Sequence, residues 1–178
     1  STFVESWDEK YSFLCADFIE KYASGDEKKH YNCGGVFNYK DILFNNEASN
    51  QIFTKTESLR LIGGFTPNVK RLQDWDTWLR LSYSLGRFMR INTTSYIMNH
   101  DHQIGDTRVS ESIEIQDALR SLMERNNQMY SISDSNYMNY LIDYISGKES
   151  IMDSIYWSIK KRKIKPIVKT ILRKGCLL

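Results

Sequence analysis

Apolar positions recur at helical spacing through most of this chain and alternate in only a few short stretches, and together they predict an ordered series of elements. Thr2 to Val4 reads as the end of a strand, Asp8 to Tyr22 as a helix, Ala23 to Lys29 as an exposed loop and Val36 to Tyr39 as a short strand. Ile52 and Phe53 read as a buried strand leading into a helix. Thr54-Lys55-Thr56-Glu57 has the form of a capping box that opens this helix, and Leu59, Leu61 and Ile62 carry it to its stop at Gly63. The next helix runs from Asp74 to Leu85 and closes at Gly86, and Arg87 to Ile91 and Ser95 to Met98 read as strands. Glu111 to Arg125, Ser135 to Ile145 and Glu149 to Lys161 read as helices, and Pro166 starts a last short one. The pattern therefore predicts α/β structure over roughly the first 100 residues and helices alone after them.

Composition narrows the class. With 178 residues, 41% hydrophobic and 26% charged, the chain is globular and has a sizeable core, not a disordered segment. Cys15, Cys33 and Cys176 are far apart and form no CxxC or CxxH spacing, so neither a zinc site nor a disulfide framework is expected, and a reducing compartment is the simpler reading. The N-terminus shows no basic region followed by an apolar stretch, and no apolar run approaches membrane-spanning length, so the chain is expected to be neither secreted nor integral. The net charge of +2 hides an asymmetry: residues 160–178 hold eight Lys and Arg and no acid. Ile159, Ile164, Ile167, Val168, Ile171 and Leu172 interleave with those cations, as in a basic amphipathic helix that lies on an anionic membrane surface. On that reading the tail packs on lipid and its removal leaves the domain folded; the other reading is a solvated helix that completes the domain. No nucleic-acid-binding motif accompanies the charge, and no nucleic-acid partner is expected.

The stretch richest in candidate chemistry is Gly63-Gly64-Phe65 followed by Gln73-Asp74-Trp75-Asp76-Thr77-Trp78-Leu79-Arg80. It sets two carboxylates and two indoles at a helix entry behind a glycine loop. A carboxylate at a helix start is favoured as the anion, which suits a general base. Two readings are open on the residues alone: Asp74 as a base, or Asp74 as a cap with Trp75, Trp78, Leu79 and Leu81 as the buried face.

These motifs resemble the nucleotide-sugar glycosyltransferases of the GT-A fold, family 2 type, which carry a Gly-Gly-Phe-Asp segment and then an acidic-Asp-Trp-Asp-x-Trp-x-Arg run. In this chain Thr66 stands for the Asp after Phe65 and Gln73 for the acidic residue before Asp74. The resemblance implies a partial GT-A-like mixed sheet with helices over residues 1–112, lacking most of the nucleotide-binding half, and a helical extension over 113–178. It implies that Asp74 deprotonates an acceptor hydroxyl, with Asp76 and Arg80 in support and Trp75 and Trp78 as acceptor platforms. Gly63, Gly64, His100, Arg108 and Ser110 become donor or phosphate contacts. Glu5, Asp8 and His102 become ligands of a Mg²⁺ or Mn²⁺ ion on the donor diphosphate, Trp7 standing at the second acidic place of the family's metal motif. Asn50 to Phe53 falls where the family lines its donor-sugar pocket.

The function so implied is an inverting, metal-dependent transfer of one sugar from a nucleotide-sugar to a glycan or lipid-linked acceptor in bacterial surface-polysaccharide synthesis. Its place is the cytoplasm, peripheral on the inner face of the membrane. Gln116-Asp117-Ala118-Leu119-Arg120 lacks the spacing and the tryptophan of the processive-synthase signature, which favours single transfer. The alternative is a non-catalytic remnant of the same fold that binds a glycan or a protein and is held at the membrane by its basic tail.

Overall fold

The computed structural model describes residues 2–30, 34–100 and 113–175, and the chain divides into two compact units, Ser1–Ser112 and Ile113–Leu178. The first is mixed α/β and the second all-helical. Among the described residues no helix is long and apolar enough to cross a membrane.

The first unit opens with α1 (Thr2–Ser6) and not with a strand end. Phe3 and Trp7 lie four residues apart, and a helical turn sets both against Phe53, with ring centroids 5.7 and 5.6 Å away. The helix expected over Asp8 to Tyr22 is largely strand β1 (Leu14–Tyr22). Phe13, Leu14, Cys15 and Ala16 are all at most 2% exposed. A strand covered on both faces reads as a continuous apolar run, and a helix-like spacing within it is coincidental. The Cys15 thiol is free, and burial pushes it up to about 11, so it is inert.

A mixed sheet forms around β1. β5 (Phe88–His100) lies parallel to it on one side, and β2 (Glu27–His30) and the two-residue β4 (Ile52–Phe53) lie antiparallel on the other. β2 takes up the far half of the stretch expected to be a loop. β3 (Gly35–Phe37) pairs antiparallel with β5 and completes the order β2-β1-β5-β3. The two strands expected over Arg87 to Met98 are one, and the polar break between them is a register irregularity: Ala16 faces Ile91, whereas Asp17 faces Thr94.

Helices α2 (Thr56–Leu61) and α3 (Gln73–Leu85) lie between β4 and β5 in sequence. The capping box expected at α2 does not form, since Lys55 is the N-cap and Thr54 instead donates to the Ser12 carbonyl at 2.7 Å. α3 buries Trp75, Trp78, Leu79 and Leu81, and its Trp78 ring packs 6.2 Å from Phe13, itself stacked on Phe88 at 4.5 Å. This is the core of the unit.

The second unit comprises α4 (Ile115–Arg125), a 3-10 turn over Asn127–Met129, α5 (Ile132–Ser146), α6 (Ile151–Lys161) and α7 (Lys165–Gly175). α5 starts earlier than its apolar pattern predicts because Ser131 and Asp134 cap it reciprocally, and Gly147 ends it at a φ of +71°. Tyr137, Tyr140 and Trp157 form an aromatic cluster between α5 and α6. α7 does not stand off as a free tail. Thr170 is fully buried and bonds both Ser154 on α6 and Glu149, while Arg173 bonds Glu149 and the Tyr144 carbonyl at the end of α5. Removing the tail would strip Glu149 of these partners, so the expectation that it can be deleted without loss to the fold is corrected.

Candidate functional site

Sequence places Asp74 in the first turn of α3, and the structure sets it in the wall of an open cleft of about 350 Å³, lined also by Asn46, Asn50, Lys70, Arg71 and Trp75. The N-cap is Leu72, which holds a left-handed φ of +62° and offers no side-chain bond to the helix. That conformation is strained for leucine, by roughly 1–2 kcal/mol, and it stands two residues from the carboxylate. Asp74 is therefore not a cap. Burial raises its carboxyl above the usual aspartate value. A raised pKa makes the carboxylate a better proton acceptor, and the cleft gives it an opening to solvent.

The two tryptophans build this cleft from behind. Trp75 is 7% exposed and donates through Nε1 to the Ile42 carbonyl at 2.6 Å; Trp78 is 4% exposed and donates to the Ser49 carbonyl at 3.1 Å. Both indoles thus peg the 42–50 segment against α3, which brings Asn46 and Asn50 to the rim beside Asp74. Neither ring offers an open face for an acceptor sugar, so their expected role as platforms is replaced by a scaffolding one. Trp75→Phe should keep the ring and lose the bond, leaving the carbonyl of the fully buried Ile42 unpaired at a cost of about 1–3 kcal/mol. Urea unfolding of the variant measures that loss.

Asp76 and Arg80 face away from the opening. Asp76 is 1% exposed and accepts from Thr66 Oγ1 at 2.7 Å and from Arg80 Nε at 3.0 Å. Arg80 also donates to the carbonyls of Ile62 at 2.8 Å and Gly64 at 2.7 Å. The pair stitches the glycine loop to α3 and acts as positioning residues. Gly63 and Gly64 adopt φ values of +77° and +70°, and their N–H groups close α2 by bonding the carbonyls of Arg60 and Leu59. Those donors are committed, so the expected phosphate contact through them has no free N–H to use.

Of the remaining expected ligands, Glu5, Asp8 and His100 are among the described residues. Glu5 is on α1 instead of at a strand end, and Asp8 lies in the turn after it, 2.6 Å from Lys10 Nζ, whose hydrogen bond holds the Asp8 carboxyl below its usual value. His100 ends β5 opposite Tyr22. His102, Arg108 and Ser110 lie outside the described residues. Among the described residues no group of three or more His, Cys, Asp or Glu is placed to hold a metal ion. Of the three residues expected to hold Mg²⁺ or Mn²⁺, Glu5 and Asp8 lie on and just after α1, and His102 is outside the described residues.

Several cleft residues escaped the sequence reading. A second hollow of about 360 Å³ shares Asn46 and Asn50 with the first and is lined by Phe18, His30 and Ser49. His30, Phe18 and Tyr96 stack across β2, β1 and β5 with centroid spacings of 4.5 and 5.1 Å. The Tyr96 hydroxyl lies 2.5 Å from Ser49 Oγ, and burial first, then the charges of Asp74 and Glu20, raise its pKa. Glu20 is held down to about 2, chiefly by His30, whose Nε2 is 2.9 Å away. Asn50 opens the segment expected to line a donor-sugar pocket; for the rest of the group the sequence signals are the adjacent cations Lys70-Arg71 and the asparagine-rich run Asn45 to Asn50. Comparison of the chain with family models, curated proteins and solved structures finds no match.

Proposed function

We propose that the first unit is the acceptor side of an inverting glycosyltransferase of GT-A type and that Asp74 is its general base. The observation that carries the reading is a half-buried carboxylate, its pKa raised by desolvation, in the wall of an open polar cleft beside two amides and two cations. The acceptor hydroxyl attacks the anomeric carbon of the donor sugar. As the new C–O bond forms, its proton passes to Asp74, and the bond to the nucleoside diphosphate breaks with its electron pair leaving on the phosphate oxygen. One displacement inverts the configuration. Lys70 and Arg71 line the same cleft and favour anionic groups near it, and Asn46 and Asn50 offer amide donors and acceptors that suit sugar hydroxyls.

Release of nucleoside diphosphate by the full chain, measured with a panel of UDP-, GDP- and dTDP-sugars and oligosaccharide or lipid-extract acceptors, tests the proposal. Asp74→Asn should lower turnover by about 10²-fold or more, as expected when a general base is lost. Its stability should be unchanged or higher at neutral pH. The sign follows from the raised pKa: an ionised Asp74 costs folding free energy above its folded-state pKa, and asparagine removes that cost. Turnover near the parent's in Asp74→Asn would overturn the assignment; oligosaccharide binding that Asp74→Asn leaves unchanged, without turnover in the parent, would favour a non-catalytic glycan-binding module.

A further inference from the structure

α7 is built inside out. Its polar residues Thr170 and Arg173 make the contacts with Glu149, Ser154 and Tyr144, while its apolar residues turn outward: Ile164 at its lead-in is 75% exposed and Leu172 is 63% exposed, with Val168 and Ile171 exposed between them. The spacing 164, 168, 171, 172 is that of a single helix face. α6 behaves alike, burying Ser154, Trp157 and Ser158 and exposing Met152, Tyr156 and Ile159. The two faces meet in an apolar groove of about 430 Å³ lined by Ile155, Ile159, Ile164 and Ile167 around the turn that Arg162 makes with a left-handed φ of +53°. A helix that satisfies its interior contacts with polar groups and sends its isoleucines to solvent carries an apolar patch with no partner inside its own unit.

Charge identifies the partner. Arg162, Lys163 and Lys165 are exposed around Ile164 at the tip of the turn, and residues 160–178 contain no acidic residue. Apolar side chains flanked by these cations, with the exposed acid Asp153 set apart in the first turn of α6 beside Ser150, match the boundary between the acyl chains and the headgroups of an anionic bilayer, where isoleucines enter the hydrocarbon and lysines remain at the phosphates. We infer that the outward face of the α6–α7 pair, and not a free tail, is a docking surface for an anionic lipid bilayer. This inference does not depend on the role of Asp74.

Sedimentation of the full chain with phosphatidylglycerol-containing vesicles and with pure phosphatidylcholine vesicles tests it. Partitioning should be about tenfold or more stronger on the anionic vesicles and should fall as salt is raised. The double variant Ile164→Ser, Leu172→Ser alters two exposed positions, keeps every charge, and should lose binding about tenfold or more with its circular dichroism unchanged. Lys163→Gln with Lys165→Gln should narrow the gap between the two vesicle types. Equal binding to both vesicle types, no binding to either, or parent-like binding by the double serine variant would each overturn the inference. So would a parent dimer that the serine variant converts to monomer, because a second copy would then occupy the face.

Discussion

Asp76→Ala is expected to destabilise the first unit by about 3–5 kcal/mol, the cost of stripping a charged partner from a largely buried arginine. Arg80 is held on one side by the Asp76 carboxylate and on the other by the carbonyls of Ile62 and Gly64, and its side chain is only 19% exposed. Alanine leaves the guanidinium with the carbonyls alone and frees the Thr66 hydroxyl. The glycine loop should loosen with it, since Arg80 reaches that loop from the geometry that Asp76 fixes. Asp76→Asn keeps the shape and an acceptor oxygen and should cost less. The double variant Asp76→Ala, Arg80→Met removes both charges and should be less destabilised than the sum of the single variants by about 1.5–3 kcal/mol. Urea unfolding gives all the terms; strict additivity would show that the ion pair contributes nothing of its own. The contrast with Asp74 is the stronger check. The two carboxylates stand two residues apart, yet one should lose stability on neutralisation and the other should lose only turnover.

How far such a contrast is legible in sequence depends on the scale of the interaction. Helices α3 to α7 follow local spacing and local stops, and their expected and observed limits differ by a few residues at most. Asp74 was legible because a carboxylate at a helix entry is a local pattern. The different surroundings of Asp74 and Asp76 were not. They depend on which side of α3 meets the glycine loop and which meets the 42–50 segment, and both of those are long-range contacts. β1 was misread for the same reason. β5 pairs one of its edges and β4 and β2 the other, its first residues are buried on both faces, and a single chain segment carries no record of either. The strand end expected at Thr2 to Val4 was misread as well, because Phe3 and Trp7 pack against Phe53 and the segment before Trp7 is helical. The tryptophans show the converse error. Trp75 and Trp78 are buried, and their N–H groups bond the carbonyls of Ile42 and Ser49.

The second unit offers a test of comparable size. Glu149 is 1% exposed, and its Oε1 accepts from Thr170 Oγ1 at 2.9 Å while Arg173 Nη1 stands 3.3 Å from both of its oxygens. Arg173 in turn holds the Tyr144 carbonyl at 2.9 Å, and Thr170 shares a bond with Ser154, which meets the Tyr140 hydroxyl at 3.3 Å. One buried carboxylate therefore joins α5, α6 and α7 through polar bonds alone. Glu149→Ala should cost about 3–5 kcal/mol, because it leaves a buried hydroxyl and a half-buried guanidinium short of their acceptor. Glu149→Gln retains one acceptor oxygen and should cost less. The loss should also be local: because the outward face of α7 makes few contacts with its own unit, the helix has little else to hold it once this network is broken. Limited proteolysis of Glu149→Ala should accordingly cut first near Lys163 and Lys165, before α4 and α5 are attacked. Cleavage spread evenly over the unit would mean that α7 is held by packing, and a variant as stable as its parent would mean that Arg173 and Thr170 find other partners when the carboxylate is gone.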